Sequence, residues 1–129
     1  MRGYEVFNRG DTPAIAELAR EIGTPDVEWG AVGAFPGVEG LYRGPEAIAE
    51  WMDVIRSEWE EFEVMLDEVL RDEDDVLVVA ELLRGRGRES GAEVEMRIFS
   101  TYWFENGKIR RRAAFTERTA ALEAAELEE

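Results

Sequence analysis

The sequence predicts an α+β domain, with helices gathered in the first half of the chain and an antiparallel sheet in the second. Three observations carry that prediction. Ile48, Trp51, Met52, Ile55 and Trp59 recur at helical spacing within Gly40–Trp59, so one face of a helix buries two indoles. From Glu61 onward the apolar residues follow strand patterns instead, and Asn106-Gly107 between two such segments is a strong hairpin signal. Helices segregated from an antiparallel sheet define the α+β class.

In chain order, Tyr4 and Phe7 stand at helical spacing in residues 1–9, which reads as the last turns of a helix whose beginning is missing or very short. Gly10-Asp11 breaks it, Thr12 is placed as an N-cap with Pro13 at the first helical position, and Ile15, Leu18, Ala19 and Ile22 form a buried stripe ending at Gly23. A turn at Thr24-Pro25-Asp26 leads to a short strand around Val27-Glu28-Trp29. Residues 30–44 hold five of the twelve glycines and Pro36, which reads as a bending loop over the aromatic helix. It lacks the lysine and spacing of a phosphate-binding loop. Gly44-Pro45 starts the main helix.

Glu61–Leu70 alternates as a strand. Val76–Arg84 is apolar on both faces and reads as a central strand. Residues 85–91 form a polar connection to Val94–Phe104, and Thr119–Leu127 closes the chain as a helix. With Asn106 and Gly107 as the two turn residues, simple pairing sets Phe104 opposite Ile109, Tyr102 opposite Arg111, Ser100 opposite Ala113 and Ile98 opposite Phe115 on a core face. The opposite face then pairs Trp103 with Arg110 and Phe99 with Ala114. Residues 1–129 are read as one domain.

The chain has 30 Asp and Glu against 15 Lys and Arg, a net charge of −15. Such a surface repels phosphate backbones and anionic lipid, so nucleic acid and membrane are not expected partners. The chain has no cysteine and no histidine, which excludes disulfides, thiolate chemistry and the usual zinc sites. No metal or other cofactor is expected. No apolar run has the length of a membrane span, and a cytoplasmic protein is the expectation.

Phe7-Asn8-Arg9-Gly10-Asp11, Asp26-Val27-Glu28-Trp29, Tyr42-x-Gly44-x-Glu46-x-Ile48, the connection at 85–91, Asn106-Gly107-Lys108-Ile109 and Ala121-Leu122-Glu123-Ala124-Ala125 occur in an order that resembles the SnoaL-like branch of the NTF2-like superfamily. The resemblance implies a cone: a curved antiparallel sheet wrapped around helices, with an apolar pocket at one end, commonly as a homodimer. It also implies a functional range that includes polyketide cyclases, ketosteroid isomerases, limonene epoxide hydrolases, dehydratases and non-catalytic members. Their catalytic patterns do not carry over. The cyclases use a histidine. Phe35 stands where the isomerases have their base. Glu95-x-Arg97 is the nearest match to the Arg-x-Asp of the epoxide hydrolases, in reverse order, and Glu117 holds a late position where relatives often carry an acid.

The expected ligand-lining set is Trp29, Phe35, Tyr42, Trp51, Ile55, Trp59, Tyr102 and Phe115, with a filled core as the alternative reading of the same residues. Tyr42, Tyr102 and Arg111 are candidates for the polar end. Strand parity assigns Glu81 and Arg97 to the sheet back with Phe99 and Trp103, as an ion pair; the competing reading makes Glu81 a buried general base. Two functions follow as expectations. The first is a protein binding an apolar, cyclic small molecule, with any catalysis being acid–base work by tyrosine, carboxylate and arginine. The second is a non-enzymatic module that dimerises through Phe99 and Trp103 on the sheet back, its cone filled by side chains.

Overall fold

The computed structural model describes residues 12–31, 40–73 and 75–127. The expected helix at 1–9, most of the glycine-rich loop and Phe35 lie outside these residues. The described elements are α1 (Thr12–Ile22), β1 (Gly23–Ala31), β2 (Gly40–Arg43), α2 (Pro45–Glu58), β3 (Trp59–Glu73), β4 (Val76–Gly87), β5 (Glu93–Glu105), β6 (Lys108–Phe115) and α3 (Arg118–Leu127). They form a curved, unclosed six-stranded sheet in the order β2-β1-β6-β5-β4-β3, with three helices, consistent with the α+β cone expected.

β4 lies inside the sheet between β3 and β5, as its two apolar faces require. The short strand expected at Val27–Trp29 extends over Gly23–Ala31 and pairs in parallel with β6, so the sheet is not wholly antiparallel. Trp59 ends α2 in extended backbone and begins β3. Its ring lies against Gly85 on the neighbouring strand. A Cβ at Gly85 would stand 3.0 Å from the indole and crowd it, so glycine there eases the close approach.

The sheet divides two cores. On the concave side, α1 and α2 bury Ile15, Ile48, Trp51, Met52 and Ile55 against Val27, Phe62, Val64, Leu83 and Ile98. On the back, α3 lays Ala121 and Ala125 over Val76, Val78, Ala80, Phe99 and Trp103. Small residues on the helix let it approach the sheet closely, and Thr101 Oγ1 donates a hydrogen bond to the Ala121 carbonyl at 2.8 Å. Phe99 and Trp103, expected at a subunit interface, are therefore covered within the chain, at 9% and 2% exposure. The expected back-to-back contact loses its apolar surface to α3.

The hairpin between β5 and β6 corrects the expected register. Asn106 and Gly107 both have positive φ, 52° and 80°, as a two-residue primed turn demands. Phe104 pairs with Ile109 as expected, but Trp103 then pairs with Arg111, Tyr102 with Arg112, Ser100 with Ala114 and Phe99 with Phe115. Arg110 is the extra residue of a β-bulge. One inserted residue exchanges the faces of all that follow on β6. Arg112 and Ala114 thus join Ser100 and Tyr102 on the concave side, while Ala113 and Phe115 pack into the back core.

Candidate functional site

The concave ends of β1, β2, β5 and β6 meet the start of α2 in a cluster of aromatic rings. Trp29 lies 6.1 Å from Trp51 and 6.1 Å from Tyr102, and Tyr42 lies 6.0 Å from Trp51, all in tilted or edge-on contacts. Local structure sets each ring. Trp29 and Tyr42 are direct partners across the β1–β2 pair, and Trp51 projects from the second turn of α2. Trp51 is buried, whereas Trp29, Tyr42 and Tyr102 are only partly so. Farther along α2, Ile55 has no exposure and Trp59 packs edge-on against Phe62 at 6.4 Å, so those two belong to the filled part of the core.

Beside the rings lies a buried polar cluster. Glu81 on β4, 1% exposed, accepts hydrogen bonds from Ser100 Oγ at 2.5 Å and from Tyr102 OH at 3.1 Å. Arg112 Nη2 stands 3.4 Å from the same carboxylate and 3.2 Å from Ser100 Oγ, and its Nη1 donates to the Gly30 carbonyl at 2.8 Å. The guanidinium also lies over the Trp29 ring, 4.8 Å from its centroid. The negative and positive charges face each other inside the protein, so the cluster is close to neutral as a unit.

The parity assignment of Glu81 to the sheet back is overturned by this pairing. Glu81 is opposite Ile98, so it shares the concave face with Ile98, Ser100 and Tyr102. Arg97 takes other partners, Asp67 at 2.8 Å and Glu68 at 3.0 Å, and Glu95 pairs with Arg84 at 2.8 Å. Arg111, expected in the pocket, lies over the Trp103 ring on the back at 4.8 Å. Arg112 takes its place and was not anticipated. Phe115, expected as lining, is on the back as well. Glu117 is exposed in the bend before α3.

Tyr102 has its hydroxyl pKa raised above the ordinary 10.0, first by burial and then by the negative charge of Glu81, with Arg112 opposing. It is therefore a proton-holding donor at neutral pH. Among the described residues, no group of three or more carboxylates is placed to hold a metal ion, and no helix is long and apolar enough to cross a membrane.

The sequence pattern of the SnoaL-like domain matches residues 2–112. The chain belongs to the SnoaL-like family. Solved structures similar to this SnoaL-like chain share its fold. An NTF2-like protein from Burkholderia thailandensis E264 is 26% identical with a TM-score of 0.74, the match covering 96% of this chain and 91% of that one. TerC, co-crystallised with polyporic acid, is 20% identical with a TM-score of 0.72, covering 96% and 92%. A protein from Jannaschia sp. CCS1, described as a candidate SnoaL-like polyketide cyclase, is 20% identical with a TM-score of 0.68, covering 94% and 86%. No curated protein matches the sequence.

Proposed function

We propose that this SnoaL-like protein binds an apolar, cyclic small molecule against the wall formed by Trp29, Tyr42, Trp51 and Tyr102. The observation that carries the reading is the junction of that wall with the buried Glu81–Ser100–Tyr102–Arg112 cluster. Rigid aromatic surfaces favour flat or fused-ring ligands, and a few convergent polar groups at one end are what orients them. The fold likeness to TerC and to the Jannaschia protein is compatible with a ligand of this kind. Any chemistry on the ligand falls to the same cluster. In such a step the Tyr102 oxygen takes a proton from the ligand as its own hydroxyl proton passes to Glu81 through their hydrogen bond, and Arg112 holds the Glu81 carboxylate in place.

The test is titration with a panel of steroid-like, terpene-like and polyketide-like compounds, followed by tryptophan fluorescence and melting temperature. Two of the four tryptophans, Trp29 and Trp51, form the wall, so a bound ring system changes the emission. Binding at 100 times Kd raises stability by about 2.7 kcal/mol, enough to shift the melting temperature by several degrees. A panel that moves neither signal removes the ligand-binding reading.

A further inference from the structure

Two buried N–H groups in the site have no hydrogen-bond partner among the described residues, Trp29 Nε1 and Arg112 Nε. They are not scattered. Trp29 and Arg112 are direct partners across the parallel β1–β6 pair, and the guanidinium is stacked on the indole. Arg112 is 6% exposed, and its two terminal nitrogens are committed to Gly30, Ser100 and Glu81. A buried donor left without an acceptor is a substantial penalty, and two on adjacent residues of one site call for an acceptor beyond the described residues. Thr24 Oγ1 and Trp103 Nε1 also lack a partner among the described residues, but Thr24 stands at the other end of β1 and Trp103 on the other side of the sheet.

We propose that the ligand carries an uncharged acceptor oxygen, held by Trp29 Nε1 and Arg112 Nε at the polar end of the aromatic wall. The proposal rests on the ligand-binding reading above and adds the chemical class. The acceptor is neutral because the charge of Arg112 is already matched by Glu81. A ligand carboxylate there would bring a second buried negative charge close to Glu81, which Arg112 already faces. A ring ketone, ether or amide oxygen meets both demands.

The test uses three compounds of matched shape, tetralin, 1-tetralone and 1-naphthoate, titrated by calorimetry into the wild-type chain and into Trp29→Phe. The variant removes the indole N–H and keeps an aromatic ring in the wall. The wild type is expected to bind 1-tetralone about tenfold more tightly than tetralin, the equivalent of one good hydrogen bond, and to bind 1-naphthoate more weakly than the ketone. In Trp29→Phe the ratio of ketone to tetralin affinity should fall by about threefold or more, whatever the smaller ring costs both compounds in common. Equal binding of tetralin and 1-tetralone by the wild type overturns the proposal while leaving the ligand-binding reading intact. So does a preference that Trp29→Phe retains in full, or tighter binding of 1-naphthoate. Failure of all three to bind, together with a silent wider panel, overturns both.

Discussion

The two faces of the β5–β6 hairpin treat neighbouring arginines in opposite ways. On the concave face Arg112 is almost wholly enclosed, faces a carboxylate with 1% exposure, and shares hydroxyl partners with it. On the back, Arg111 lies over Trp103 at the margin of a core closed by the alanines of α3. The back is built as a core is built, from apolar area and close helix–sheet approach. The concave face spends comparable burial on a neutral but highly polar cluster that an apolar core of the same volume would not need. That polar burial adjoins the aromatic wall, which is where the proposed ligand site lies.

The largest effect expected from breaking this difference is at Glu81. Replacing it by leucine leaves Arg112 enclosed without its countercharge, and the loss should be about 3–5 kcal/mol in urea unfolding. Combining Glu81→Leu with Arg112→Met removes both charges, and most of that loss should return. Full additivity of the two single changes would mean that the charges do not interact inside the fold.

The hydroxyl of Tyr102 sharpens the comparison through pH. Its pKa in the folded protein lies above the unfolded value of about 10, so between the two the native state keeps a proton that the unfolded chain has released. Stability must therefore fall as pH rises past about 10, by up to about 1.4 kcal/mol per pH unit for one group. Tyr102→Phe should flatten that part of the urea-unfolding profile. An identical alkaline slope in the variant would assign the effect to other groups.

What the sequence made legible, and what it hid, divides along the same faces. The main helix was readable because Ile48, Trp51, Met52 and Ile55 repeat at its period, and all four are buried. β4 was readable as central from its two apolar faces, and the turn from Asn106-Gly107. The bulge was not, because Arg110, Arg111 and Arg112 are identical in type and no pattern among them says which is the extra residue. Glu81 was misassigned for a related reason. The connection at 85–91 is glycine-rich and polar, which marks a turn without fixing the pairing, and an error of one residue reverses every side chain. The parallel β1–β6 pair joins segments about eighty residues apart, beyond any local signal. It is that pair which sets Trp29 beside Arg112.

The smallest effect expected is at Arg111, and it is the control for the whole contrast. Its contact with Trp103 is a cation–π stacking at the edge of the back core, on a residue that is only partly buried. Such contacts contribute about 0.5–1 kcal/mol at exposed sites. Arg111→Ala should therefore lower stability by about that amount and leave ligand affinity unchanged, because the sheet separates it from the wall. Under the unbulged register the outcome would be reversed, with Arg111 beside Tyr102 and Arg112 on the back. Measuring Arg111→Ala and Arg112→Ala side by side by urea unfolding thus tests the bulge itself. A larger loss at Arg111 than at Arg112 would restore the simple two-residue register and dissolve the Glu81 cluster with it.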